Sequence, residues 1–321
     1  MKTEILPLTD PAAEQRAETL LRDGQLVALP TETVYGLAGD SGSSKAVAGI
    51  FEAKARPRFN PLICHVDSMK MAREIAVFDA LAEKLATAFW PGPLTLVLPL
   101  RAKTAVHPLA TAGLDTVAVR MPHGVVARLA AKLTRPIVAP SANLSGRVTG
   151  TSAEAVARGL SGRIPLILDG GATPVGLEST IVRPAGDRLV LLRAGGIARD
   201  VLAEASGLAI EDPAAGAAIA APGSLASHYA PTGRVRLDVR SIEPGEFVIA
   251  FGPDRPQGLE NAAAIVNLSP AGDLAEAASN LFAALSAFDS ADVEAIAVAP
   301  IPSTGLGEAI NDRLRRAAAP R

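Results

Sequence analysis

Residues 116–139 read Thr-Val-Ala-Val-Arg-Met-Pro-His-Gly-Val-Val-Ala-Arg-Leu-Ala-Ala-Lys-Leu-Thr-Arg-Pro-Ile-Val-Ala, and they carry two different periods. Thr116 to Met121 is a short run suited to a strand, the stretch near 124–134 reads as a helix, and Ile137 to Ala139 is a second strand. The alternation continues outward in both directions. Toward the N-terminus lie Leu94 to Leu100, a helix near 79–89, and Leu62 to Val66. Before these come a helical stripe of Val47, Ile50, Phe51 and Lys54, and then Leu26 to Leu29. Asp10-Pro11 is expected to open the first helix as N-cap and first helical residue, with Ala13, Ala17, Leu20 and Leu21 as its stripe and Gly24 as its end. Toward the C-terminus lie Ile164 to Leu168, Ser179 to Val182 and Arg188 to Leu192. So many strands mixed with helices exclude a helical bundle or a pure sandwich and predict an α/β or α+β fold, a twisted mixed sheet with flanking helices.

Residues 207–233 follow neither period and are rich in Gly, Ala and Pro, as expected of a linker. Beyond them, strands at Val235 to Val239, Phe247 to Phe251, Ala264 to Leu268 and Ile296 to Ala299 alternate with helices. One helix has the stripe Leu274, Ala278, Leu281, Phe282, Leu285 and Phe288, and another closes the chain around 307–318. This predicts a smaller, Rossmann-like α/β domain with a parallel sheet. The expected division is residues 1–206, a linker or lid at 207–233, and a C-terminal domain at 234–321.

With 321 residues, 49% of them hydrophobic and 20% charged, the chain can bury a sizeable core and is not disordered as a whole. No apolar run reaches the roughly 18 residues needed to span a bilayer, and the N-terminus lacks the apolar core of a signal peptide, so a cytoplasmic protein without membrane contact is expected. A single cysteine, Cys64, excludes an intramolecular disulfide and a multi-cysteine zinc site. The net charge of −2 is unevenly spread: residues 1–206 carry 23 Lys and Arg against 19 Asp and Glu, and residues 207–321 carry 8 against 14. That balance argues against a protein that holds many nucleic-acid phosphates and suits a small anionic ligand in the first part.

Residues 54–66, Lys-Ala-Arg-Pro-Arg-Phe-Asn-Pro-Leu-Ile-Cys-His-Val, place three cations in five positions on a connection stiffened by two prolines. They read either as an anion site or as complements to a helix C-terminus. Three other segments join turn formers to polar groups at strand ends. Pro30-Thr-Glu-Thr-Val-Tyr-Gly36 offers hydroxyls and a carboxylate, or else a helix N-cap with Glu32 complementing the dipole. Ala139-Pro-Ser-Ala-Asn-Leu-Ser-Gly146 presents Ser141 and Asn143 to a ligand, or to its own backbone. Gly176-Leu-Glu-Ser-Thr-Ile-Val182 is followed by Arg193-Ala-Gly-Gly196, where Arg193 ends an apolar strand. No phosphate-binding loop, dinucleotide fingerprint, zinc-protease or serine-esterase motif is present, and the four histidines, His65, His107, His123 and His228, are too scattered for a metal site. A site made of cations and donors, with no evident nucleophile and base, fits phosphoryl or nucleotidyl transfer.

The segments Pro30 to Leu37, Lys54-Ala-Arg56 with Asn60-Pro-Leu62, Trp90-Pro-Gly-Pro-Leu-Thr95, Gly113 to Pro122, Pro140-Ser-Ala-Asn143 and Glu178-Ser-Thr180 resemble the YrdC/Sua5 family of threonylcarbamoyl-AMP synthases. The resemblance covers residues from about 15 to 205. Ser227-His-Tyr-Ala-Pro231 and the acidic C-terminal part resemble the longer, Sua5-type form. It implies a YrdC-like fold and an enzyme that condenses L-threonine, bicarbonate and ATP, with Mg²⁺ accompanying the ATP and no transition metal held by the protein. The product would pass to a downstream threonylcarbamoyl-transfer machinery that modifies adenosine 37 of tRNA, with no stable direct binding of tRNA by this chain. Carried over residue by residue, the resemblance implies Lys54, Arg56, Ser141 and Asn143 as catalytic. It implies Thr33, His65, Arg120, Ala139 and Ser179 around L-threonine. Arg56, Asn60, Thr116, Ser141, Thr149, Arg193 and Tyr229 would contact the nucleotide. Arg58 matches no family position and reads as a solvated bystander. His228 and Tyr229 are expected to fold over the nucleotide as a lid, the alternative being that Tyr229 packs on the C-terminal domain. Two rivals stay open at this level: an RNA-binding surface, disfavoured by net charge and few aromatic residues, and an adenylate hydrolase with a similar pocket.

Overall fold

The computed structural model describes residues 1–57, 59–214, 228–290 and 292–320, so Arg58 and residues 215–227, including Ser227, lie outside the described residues. In chain order the first part holds β1 (Glu4–Pro7), α1 (Ala13–Arg22), β2 (Val27–Leu29), β3 (Gly36–Asp40), α2 (Ser44–Lys54), β4 (Ile63–His65), α3 (Met69–Ile75), α4 (Ala80–Phe89) and β5 (Leu94–Pro99). It continues through β6 (Thr116–Arg120), α5 (Val125–Leu133), β7 (Ile137–Val138), α6 (Ala153–Leu160), β8 (Leu166–Asp169), β9 (Thr180–Ala185), β10 (Arg188–Arg193), α7 (Arg199–Ser206) and β11 (Ile210–Glu211). These strands form one mixed sheet in the order β1-β8-β2-β3-β7-β4-β6-β5-β9-β10-β11. The second part holds β12 (Arg234–Arg236), β13 (Phe247–Ala250), β14 (Ala264–Asn267), α8 (Leu274–Ala287), β15 (Ala295–Val298) and α9 (Gly307–Ala318). Its four strands are all parallel, in the order β12-β15-β13-β14.

The period of 2 divides the large sheet into two unlike faces. Cys64 of β4, Leu94, Leu96 and Leu98 of β5, and Val117 and Val119 of β6 enter the main core beneath the helices. The opposite face carries only a small apolar cluster, Ile63, Val97, Ala118 and Ile181, bordered by the polar ends of the same strands. That second face is the floor on which a site can be built. Cys64 is fully buried, and burial pushes its thiol up to about 12. The folded chain is therefore expected to be inert to a thiol reagent at neutral pH and to take up one equivalent once unfolded in denaturant. Labelling of the native chain at the unfolded rate would contradict this placement.

Several sequence expectations shift locally. Asp10 does not cap α1: its carboxylate accepts Ala12 N–H at 2.8 Å and closes a turn, and the helix begins at Ala13 with Ala12 as N-cap. Gly36 leads into strand β3, so no helix N-terminus lies beside Glu32 for it to complement. β12 stops at Arg236 instead of reaching Val239, because Asp238 takes a left-handed φ of 54° and turns the chain away. β11 pairs with β10 and carries the large sheet to Glu211, into the stretch read as linker. β1, β3 and helices α3, α6 and α7 are not announced by the sequence. In β3, Gly39 has a packing reason: a Cβ there would stand 3.2 Å from Ala46 and 3.3 Å from Ile50, where α2 lies on the strand.

Candidate active site

β4 and β6 are parallel neighbours with Ile63 opposite Ala118 and His65 opposite Arg120, so His65 and Arg120 emerge side by side on the floor face. Arg120, 4% exposed, pairs with Glu32 at 2.8 Å and donates from Nε to Gly92 O at 3.2 Å. Glu32 is thus the carboxylate that orients an arginine. Arg193 reaches the same face through an irregularity: the register of β10 against β9 shifts between Leu191 and Arg193. Leu189 and Leu191 point into the main core, and strict alternation would send Arg193 after them, but the bulge re-aims it. Its guanidinium donates to Ser179 O at 2.8 and 3.2 Å and to Ser179 Oγ at 3.2 Å. Close backbone approach at Gly195, whose Cβ would fall 2.3 Å from Glu178 O, holds this strand end against the Glu178–Thr180 segment.

A narrow pocket of about 40 Å³ gathers Thr33, Arg56, His65, Arg120, Ala139, Ser141, Ser179, Arg193 and Tyr229, nine of the residues expected at a site, together with Glu178 and His228. The other five expected residues are placed differently. Lys54 stands behind the pocket: its buried ammonium donates to Ser141 O at 2.5 Å and to Asn143 O, gripping the loop after β7. Asn143 is spent inside that loop, donating to Leu144 O and Arg147 O at 2.8 and 2.9 Å and accepting Ser141 Oγ–H at 2.6 Å. Thr149 donates to Glu178 Oε1 at 3.3 Å. Asn60 is buried in the connection entering β4, and Thr116 opens β6 on the floor face, about 13 Å of extended chain from Arg120.

The second part of the chain completes the walls. Tyr229, in a left-handed conformation with φ 64° and 1% exposed, faces His228 with ring centroids 4.1 Å apart and Phe282 of α8 at 5.3 Å. Tyr229 packs on the C-terminal part, as one of the two expectations had it, and its ring also lines the pocket. Arg313 of α9, with no exposed surface, donates from Nε to Glu178 Oε2 at 3.0 Å and stacks 5.4 Å from the Tyr229 ring centre. Glu178 and Arg313 had not been proposed as site residues from the sequence. Arg313 lies 135 positions from its partner.

Burial disfavours every charge here, and neighbours decide which persist. Burial brings Arg56 down to about 10, helped by the charge of Arg193, and brings Arg193 down to about 10 as well. Lys54 is held well below its usual value by burial and then by Arg56. Burial would raise Glu178, but Arg313 and Arg193 outweigh it and hold its carboxyl near 2. Burial pushes the imidazoles of His65 and His228 down to about 3, with Arg120 adding to the effect at His65. Arg56 Nε, Asn60 Oδ1, His65 Nδ1 and His228 Nδ1 are buried with no hydrogen-bond partner among the described residues. Buried polar atoms are normally paired, so the three orphans on pocket residues, Arg56 Nε, His65 Nδ1 and His228 Nδ1, mark where a ligand's polar atoms would bond.

The two histidines give a pH signature. Between pH 6.5 and about 3 the unfolded chain binds protons at these rings that the folded chain refuses, so stability falls as pH drops through that window. The melting temperature is expected to decline already between pH 6.5 and 5, above the carboxylate range, and a His65→Gln/His228→Gln variant should lose much of that decline. A flat profile in the wild-type chain would contradict the buried neutral imidazoles.

Comparison with known proteins adds a family to this geometry. The family model described as telomere recombination matches residues 19–195, and the one described as threonylcarbamoyl-AMP synthase, C-terminal domain, matches residues 197–319. The threonylcarbamoyl-AMP synthase of Bacillus subtilis (strain 168) is 39% identical, over 98% of this chain and 95% of its own. That of Pyrococcus abyssi (strain GE5 / Orsay) is 40% identical, over 94% and 92%. A crystal structure of P. abyssi Sua5 complexed with L-threonine superposes with a TM-score of 0.87 at 37% identity, covering 98% of each chain. On two matching family models that together span nearly the whole sequence, the chain belongs to the YrdC/Sua5 family of threonylcarbamoyl-AMP synthases.

Proposed function

We propose that this chain is an L-threonylcarbamoyladenylate synthase, forming threonylcarbamoyl-AMP from L-threonine, bicarbonate and ATP for the modification of adenosine 37 in tRNA. The threonine amine and bicarbonate condense to a carbamate with loss of water. A carbamate oxygen then attacks the α-phosphorus, and the bond to the β-phosphate oxygen breaks to release pyrophosphate. The observation that carries the reading is the convergence of three arginines, Arg56, Arg120 and Arg193, none more than 8% exposed, on one narrow pocket. Arg120, oriented by Glu32, suits the threonine carboxylate, with Thr33, Ser179, neutral His65 and the backbone at Ala139 around the rest of the amino acid. Arg56, Arg193 and Ser141 face the phosphoryl and carbamate oxygens, where fixed cations are most effective because no reorganisation is needed during the reaction. Asn60 and Thr116 extend the nucleotide site along the floor, and Thr149 supports it through Glu178. Lys54 and Asn143 act by fixing the Ser141 loop.

The segment carrying His228 and Tyr229 is read as a cover that opens and closes over the substrates, a reading supported by the small free space of about 40 Å³ beside these two side chains. The division into a catalytic part at 1–206, a covering segment within 207–233 and a C-terminal domain at 234–321 belongs to the same reading, supported by two sheets that share no strand. Among the described residues no group of three or more His, Cys, Asp and Glu could hold a metal, and both carboxylate oxygens of Glu178 are engaged. These residues fit Mg²⁺ that arrives on the ATP phosphates, where it would neutralise triphosphate charge. No described helix is long and apolar enough to cross a membrane. A cytoplasmic enzyme that hands its product to a separate transfer machinery, without stable tRNA binding, completes the proposal. Pyrophosphate release should require threonine and bicarbonate together; release with ATP alone at the full rate would point to hydrolysis instead.

A further inference from the structure

The parallel sheet of the C-terminal part carries a crevice of about 640 Å³ at the carboxyl ends of its strands, far larger than the space in the pocket of the first part. Its walls come from the chain after β13, from residue 251 to 257, the chain after β15, from 299 to 302, and the turn after β12, from 239 to 241. β13 and β15 are adjacent and their exits diverge: β13 leads to β14 on one side, and β15 leads to α9, which packs against β12 on the other. Open parallel sheets bind ligands outside the carboxyl ends of their strands at such a reversal. The volume lies within the range of small-ligand sites.

The lining chemistry narrows the ligand. In a region where acidic residues outnumber basic ones 14 to 8, this crevice carries two arginines, Arg240 and Arg255, against one carboxylate, Asp254. Neither guanidinium has a side-chain hydrogen bond or ion pair to a described residue, whereas Arg236 of the same part is locked onto Glu246 at 2.7 Å. The rest of the wall includes Phe251 and the apolar rings of Pro253 and Pro300. Two available guanidinium groups suit a phosphate, and an aromatic and proline surface suits a planar base.

We propose that this crevice is a second ligand site that binds a mononucleotide, its phosphates on Arg240 and Arg255 and its base against Phe251 and the prolines. The site is separate from the pocket of the first part and does not depend on the function assigned there. The loop from 299 to 302 feeds directly into α9, the helix that carries Arg313 to Glu178, so the two sites share one structural element.

The test is equilibrium dialysis of the full chain against radiolabelled ATP without threonine or bicarbonate, comparing the wild type with Arg240→Glu/Arg255→Glu. The variant is expected to bind one fewer ATP per chain, or to bind it at least tenfold more weakly, whether the wild type binds two or one. Should the double charge reversal alter the melting temperature, Arg240→Gln/Arg255→Gln serves in its place. An unchanged number and affinity of ATP sites in a folded variant overturns the proposal. Loss of an ATP site in Arg56→Ala reports on the first pocket alone, so failure of either assignment is distinguishable from failure of the other.

Discussion

Replacing Arg56 by Ala is expected to reduce threonylcarbamoyl-AMP formation by on the order of 10²–10³-fold while leaving the fold intact. The loss follows from position. Arg56 is 8% exposed, faces the pocket, and keeps its Nε unpaired, while the one hydrogen bond of its side chain to a described residue runs from Nη2 to Pro61 O at 3.2 Å. The intact fold follows from electrostatics. Burial and Arg193 lower its pKa to about 10, which means the folded chain disfavours this cation and loses little by giving it up. The backbone holds itself independently, with Ala55 in the left-handed C-cap of α2 and Arg56 N donating to Phe51 O at 2.9 Å. Product assay and thermal melting on the same preparation check both halves. Near-normal activity with a lowered melting temperature would make Arg56 a structural residue.

Arg313→Met is expected to damage stability and activity together. Methionine keeps much of the length but leaves the Glu178 carboxylate buried without its ion pair, a defect that typically costs about 3–5 kcal/mol. It also removes the cation stacked on Tyr229, so two residues of the pocket wall lose their support from α9. Adding Glu178→Gln should restore part of the lost stability, because the orphaned charge is then gone, while activity stays low. Denaturant unfolding of the two single variants and the double variant measures this coupling directly. Strictly additive destabilisation would mean that Arg313 and Glu178 do not act as a pair. Since burial opposes Arg313's charge while Tyr229, Glu178 and Asp312 raise its pKa overall, the guanidinium is charged at any pH at which the chain folds.

The legible part of the structure was the part written in local periods. Leu94, Leu96 and Leu98, or Val117 and Val119, announce strands with one face in the main core, and the floor of the site is the other face of those strands. The polar segments at strand ends could be quoted from the sequence, and the family resemblance assigned their residues. What a residue touches was less legible. Lys54 looks like a ligand-facing cation, yet its ammonium faces two carbonyls of the Ser141 loop, because the end of α2 abuts that loop and not the open floor. Asn143 likewise satisfies its own loop, the alternative the sequence had left open. Arg193 enters the site through a bulge that no alternating pattern encodes, and β3 was obscured by two glycines, Gly39 packed against α2 and Gly36 against Ala139. Arg313 could not be found at all. In α9 it reads as one more charge beside Asp312 and Arg316, and its burial against Glu178 exists only after the two parts of the chain come together.

The central claim, that one pocket joins a carbamate of threonine to the adenylyl group of ATP, is tested most directly by a double label. The full chain is incubated with [¹⁴C]bicarbonate, L-threonine and ATP tritiated in the adenine, and the products are separated. Carbon-14 and tritium should appear in one compound at a ratio of one to one, with one pyrophosphate released for each, and the compound should be absent when threonine is omitted. Tritiated AMP and pyrophosphate with no carbon-14 in any adenylate would contradict the account.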